Sequence, residues 1–105
     1  MVQTMKKNIS IMKKYGKAIK KKGVNKVLFF GSRFRGNFYP ESDFDVLLVS
    51  SKFKDMNKGQ RSVFAFQEWK EDYSIDFLCF TPEEFQRNAK GLTIVDKAIK
   101  TGIEL

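Results

Sequence analysis

A chain of 105 residues, 42% apolar and 30% charged, has the material for one packed core, read here as a single domain spanning residues 1–105. One cysteine and no histidine exclude an internal disulfide, the usual zinc ligand sets and every histidine-based triad or general base. A metal would have to be held by oxygen, which favours Mg²⁺ or Mn²⁺; with no apolar run near the ~18–20 residues of a membrane span and no signal-peptide core, the expected location is the cytoplasm, away from membranes.

The net charge of +8 is uneven, because residues 1–30 hold nine lysines and no acid while the remainder holds 11 basic and 12 acidic side chains. Met5, Ile9, Met12, Gly16 and Ile19 recur at three- and four-residue intervals, which predicts a helix over 4–22 with that stripe inward. Its lysines then form a solvated face, with Lys20, Lys21 and Lys22 complementing the last carbonyls and Gly23 supplying the stop. The alternative role of such a stripe is to attract nucleic acid or an acidic partner.

A strand is predicted over 25–30, ending at Gly31, followed by a short helical turn from Ser32 to Gly36 and a loop through Tyr39-Pro40-Glu41-Ser42. A second strand is predicted over 43–49; Val46 to Val49 are apolar on both faces, as suits a central strand covered by helices. The polar 50–57 stretch reads as turn and 58–70 as a helix, with Val63 and Phe66 inward and Phe64 and Trp69 as further inward candidates. In a third strand over 73–80, Ile75, Phe77 and Cys79 share one face and Asp76, Leu78 and Phe80 the other. Thr81-Pro82-Glu83-Glu84 carries an N-cap, a proline at the first helical position and a capping-box glutamate, so a helix should run from there to about Lys90 and stop at Gly91. A last helix over 93–101 precedes Gly102 and a short terminal strand at 103–105. The expected fold class is α/β, with a small mixed sheet packed by helices.

Chemistry concentrates between residues 27 and 49. Gly31 ends the first strand, where a residue without Cβ lets the backbone approach a bulky anion, and Ser32 adds a hydroxyl beside the backbone N–H groups. Arg33 and Arg35 lie near enough in sequence to supply charge to terminal phosphates. Asp43 and Asp45, two apart on an extended segment, would project from one face and repel each other unless a cation sits between them; the plain alternative is an exposed strand entrance. Asp76, an acid inside the apolar run of the third strand, needs a partner: the aspartate pair if the strands are neighbours, or a lysine.

An apolar strand, Gly-Ser, ten intervening residues, Asp-x-Asp opening a second apolar strand, and a later acid in a third strand form a specific combination. With these residues the chain resembles the minimal nucleotidyltransferases of the DNA polymerase beta superfamily over nearly its whole length. The resemblance implies a polymerase-beta-like fold and a Mg²⁺-dependent transfer of a nucleoside monophosphate, AMP from ATP, to an acceptor hydroxyl, with two Mg²⁺ ions or Mn²⁺ in their place. It implies that Gly31 and Ser32, with Arg33 and Arg35, bind the nucleotide phosphates. Asp43 and Asp45 would ligate both ions, and Asp76 would ligate the acceptor-side ion and help deprotonate the hydroxyl. No second domain is expected to bind the acceptor, so a partner chain, in an oligomer or hetero-complex, should provide it. Small proteins of this kind pair with helical HEPN-type toxins, so the expected acceptor is such a toxin. The alternatives are a non-catalytic antitoxin or binding module that covers its partner, and a nucleic-acid-directed transferase that docks through the N-terminal lysines.

Overall fold

The sheet that carries the candidate site has the order β3-β2-β1-β4, built from β1 (Lys26–Phe30), β2 (Phe44–Val49), β3 (Ile75–Phe80) and β4 (Ile103–Glu104). The computed structural model describes residues 2–89, 91 and 93–105, residues 2–4 by backbone only. β1 runs antiparallel to β2 and to β4, whereas β2 and β3 are parallel. The sheet is therefore mixed, as the sequence predicts. The parallel pair needs a crossover, and the 3₁₀ turn Ser51–Asp55 with α3 (Lys58–Phe66) supplies it.

Each central strand is buried on both sides. Val27 and Phe29 of β1, with Phe44, Val46 and Leu48 of β2, pack into one core with Met12, Tyr15 and Ile19 of α1 (Val2–Lys21) and with Ala65 of α3. Leu28, Phe30, Leu47 and Val49 face the other way, onto Val95 and Ala98 of α5 (Ile94–Thr101), with Phe85 of α4 (Pro82–Asn88) packed beside them. That two-sided burial is the physical reason β1 and β2 read as continuous apolar runs rather than alternating ones.

The α1 stripe faces inward as expected and is widened by Asn8 and Tyr15. The Tyr15 hydroxyl donates to the Ala65 carbonyl at 2.8 Å, so α1 reaches across to α3. Thr81 caps α4 with the predicted reciprocal bonds to Glu84, and α5 starts at its Thr93 cap. α4 closes at Asn88; the expected end at position 90 lies outside the described residues.

Two expectations require correction. Asp43 precedes β2 and is exposed, so it belongs to the loop leading into the strand rather than to the strand itself. Val63 and Phe66, expected inward on α3, are 62% and 58% exposed. α3 instead buries Ala65, with Phe64 and Arg61 half-buried beside it, and stops at Phe66; the chain then turns so that the Trp69 indole is buried and donates to the Tyr73 carbonyl at 2.8 Å. Two apolar stripes on one short helix competed, and the side bearing Arg61 was chosen. Its guanidinium donates to Glu84 at 2.7 Å, to the Cys79 carbonyl at 3.1 Å and to the Met56 carbonyl at 3.0 Å. These bonds pin α3 to the end of β3 and the start of α4.

Truncating the exposed side chains should therefore be nearly neutral: Val63→Ser and Phe66→Ser are each expected to change unfolding free energy by less than ~0.5 kcal/mol in denaturant titrations, against about 3–5 kcal/mol for Trp69→Ala. The Arg61 hydrogen bond, and then the Thr81 backbone N–H, hold the Glu84 carboxyl down from 4.5 to about 2. A carboxylate with a lowered folded pKa contributes stability that is complete above its unfolded value and is lost as pH falls through its folded value. Glu84→Gln should accordingly be less stable than the parent at neutral pH, and the gap between their melting temperatures should close between pH 4.5 and about 2.

Candidate functional site

The antiparallel register pairs Phe30 with Asp45, which brings the start of β2 directly beside the turn that follows β1. Gly31 stands in that turn at φ 86°, a left-handed conformation that an L side chain rarely adopts. A Cβ there would collide with the Asp45 carboxylate. Backbone conformation and close approach thus both require glycine, and the contact they protect joins the Gly-Ser turn to an acid.

Ser32 opens α2 (Ser32–Arg35), with Gly31 as its N-cap and Gly36 closing it in the left-handed region. The Phe34 and Arg35 N–H groups donate to the Gly31 carbonyl at 3.2 and 3.0 Å, so the turn is tight and preformed. Leading N–H groups of a helical turn lack partners within it and are suited to an anion.

β3 lies parallel to β2 with Asp76 beside Asp45, on the same face of the sheet as Leu78 and Phe80. Of the neighbours the sequence leaves open for Asp76, the strand register gives Asp45, and among the described residues no lysine forms an ion pair with Asp76. Burial, then Asp76, then Asp43 raise the Asp45 pKa, and Arg35 and Lys97 oppose them. Asp45 is half-buried whereas Asp43 and Asp76 are exposed, so one acid meets the sheet and two face solvent.

Among the described residues no group of three or more His, Cys, Asp or Glu side chains is arranged to hold a metal ion. Asp76 and Asp43 each act on Asp45 against its charged form, and that repulsion is what a divalent cation bound by oxygen would relieve. The one thiol, Cys79, lies on the opposite face and is pushed up to about 12, chiefly by burial, so it offers no thiolate.

The two arginines of the turn part company. Arg35 is exposed and acts on Asp45. Arg33 is buried: its Nε donates to the Ser42 carbonyl at 2.8 Å and its Nη2 to the Pro40 carbonyl at 2.9 Å. The guanidinium lies 4.7 Å from the ring centres of Phe44 and Tyr73 and 4.9 Å from that of Phe38. It is committed to the loop rather than presented to a phosphate.

Lys97 is the residue that sequence reading does not single out. It stands on α5, far along the chain, and only the packing of that helix on β1 brings its charge to Asp45. Nothing in its local sequence separates it from the other lysines. Beside Asp76, along the outer side of β3, runs an open groove of about 470 Å³ whose lining includes Val63, Phe66, Ile75 and Phe77.

The chain matches the family model described as a nucleotidyltransferase domain over residues 12–100. Among solved structures it is similar to a candidate nucleotidyltransferase from Sulfolobus solfataricus, with 23% sequence identity, a TM-score of 0.66, and coverage of 82% of this chain and 78% of that one. At that identity the likeness concerns the fold. No curated protein matches the chain.

A carboxyl whose folded pKa is raised favours folding while protonated, and its contribution is lost as pH rises from its unfolded value through its folded one. Asp45→Asn is therefore expected to raise the melting temperature at pH 7 in EDTA, with the gain disappearing under acid conditions where Asp45 itself is protonated. Thermal melts of both proteins across pH 3–8 check this.

Proposed function

The chain belongs to the nucleotidyltransferase domain family, and from that premise we propose that it moves AMP from ATP, with Mg²⁺, onto a hydroxyl of a partner protein, most specifically a helical HEPN-type toxin. The observation that carries this reading is the placement of Asp45 and Asp76 side by side on the sheet face that adjoins the Gly31-Ser32 turn.

In this reading the Gly31-Ser32 turn binds the β- and γ-phosphates through its backbone N–H groups and the Ser32 hydroxyl. Arg35 and Lys97 add charge as the pyrophosphate departs. Asp43 and Asp45 would hold Mg²⁺, and Asp76 would hold a second ion. When bound, Mg²⁺ supplies charge neutralisation along the triphosphate and at the entering oxygen. Asp76 accepts the acceptor hydroxyl proton; the hydroxyl oxygen forms its bond to the α-phosphorus as the bond to pyrophosphate breaks. The exposure of Asp76 and the apolar groove beside it support a macromolecular acceptor, because a bulky chain reaches this edge without passing a wall.

A nucleic-acid acceptor is the second reading, and one observation favours it: among the described residues no lysine of α1 forms an ion pair with an acid. RNA binding that weakens steeply with salt and depends on those lysines would support it.

Incubation with ATP, Mg²⁺ and the product of the neighbouring gene should add the mass of one AMP to that product, as read by mass spectrometry. Asp43→Ala and Asp45→Ala should each lower transfer by at least ~10³-fold while circular dichroism stays unchanged. Transfer at the parent rate in either variant would rule out the carboxylate assignment.

A further inference from the structure

We propose that Arg33 is a positioning residue for the candidate metal site: it locks the peptide that carries Asp43 and couples it to the Gly-Ser turn. The proposal rests on the transferase reading for its consequence, but its geometry stands on its own.

Arg33 reaches both sides of Asp43. Its Nε donates to the Ser42 carbonyl at 2.8 Å, and that carbonyl belongs to the peptide plane whose nitrogen is Asp43 N. On the other side of Asp43, the Phe44 ring lies 4.7 Å from the guanidinium carbon. Nη2 fixes the Pro40 carbonyl at 2.9 Å, so the end of the loop is held at two carbonyls as well as at a ring. Asp43 itself is exposed and lies outside any strand, with no ladder to fix it. Arg33 supplies the constraint that a sheet would otherwise provide.

The other end of the device is equally well tied. The Arg33 carbonyl accepts from Asn8 Nδ2 at 3.1 Å, and Asn8 is buried in α1. α2 begins at Ser32, one residue before Arg33, so the phosphate-side turn and the Asp43 peptide are joined through one side chain. Tyr73 and Phe38 complete the enclosure at 4.7 and 4.9 Å. The surrounding rings exclude water and strengthen the two charge-assisted bonds. A planar fork with donors in two directions meets this geometry, whereas an ammonium reaches one carbonyl at a time.

Residues that orient metal ligands typically contribute 10- to 100-fold to metal affinity. Arg33→Lys and Arg33→Met are each expected to weaken Mn²⁺ binding by about that factor, with Arg33→Lys the milder, measured by electron paramagnetic resonance in the presence of ATP. Ile19→Ala, which empties a fully buried position of α1, is the comparison for lost stability and should leave Mn²⁺ affinity within twofold of the parent. The second readout needs no ligand: hydrogen exchange at the Phe44 amide, which donates to the Ser74 carbonyl at 2.9 Å, should accelerate in the Arg33 variants more than at Leu47 in the same strand.

An Mn²⁺ affinity within twofold of the parent in Arg33→Lys would overturn the proposal, as would an affinity loss matched by Ile19→Ala. If Arg33→Met does not fold, Arg33→Lys alone decides. If the parent itself binds no Mn²⁺, the transferase reading falls, and the amide exchange at Phe44 then decides whether Arg33 locks the Asp43 peptide: unchanged exchange would overturn that too.

Discussion

The site depends on how closely the Asp45 carboxylate approaches the Cα of Gly31. The antiparallel β1–β2 register brings the two elements together, and the missing Cβ lets them touch. A shift of one residue in that register would turn Asp45 to the opposite face and place an apolar side chain over the turn. The register is protected by burial on both sides: Val27 and Phe29 fit one core and Leu28 and Phe30 the other, so slippage would exchange the two sets. Core packing and site geometry are therefore one constraint seen at two ends of the same strands.

The electrostatics run against the chain as a whole. A protein with a net charge of +8 gathers three acids at one corner, and one of them is pushed toward its neutral form by burial and by its neighbours. Such clustering lowers stability and is found where a cation or a reaction makes use of it. Arg35 and Lys97 oppose the shift without forming an ion pair with Asp45. The stability lost at this corner is offset elsewhere, through the capping boxes at Asn57 and Thr81 and the Arg61–Glu84 bridge.

β3 is the edge where the acid site meets an incompletely covered surface. α3 spends its small-residue side on the core and its Arg61 on α4, so Val63 and Phe66 remain outside, next to the strand that carries Asp76. The two arginines of the turn show the same division of labour on a smaller scale. Arg33 is taken up by carbonyls and rings, and Arg35 is left for solvent and the acids.

Much was legible from residue order alone. Periodicity located the helices and strands, and the Thr81-Pro82-Glu83-Glu84 signature placed the start of α4. The Gly-Ser turn, Asp-x-Asp and the later acid marked residues that the fold brings to one corner, because their combination is far more specific than any one of them. The face of α3 was not legible: two apolar stripes satisfied the same helical period, and partners 18 and 23 residues away, Cys79 and Glu84, chose between them. Nor was the division between Arg33 and Arg35, since which guanidinium is buried depends on rings contributed by Phe38, Phe44 and Tyr73. Lys97 reached the site only through helix packing. Local sequence determines which groups are available and which face a regular element would give them; only the folded chain, by deciding which distant partner reaches each group first, determined what those groups touch.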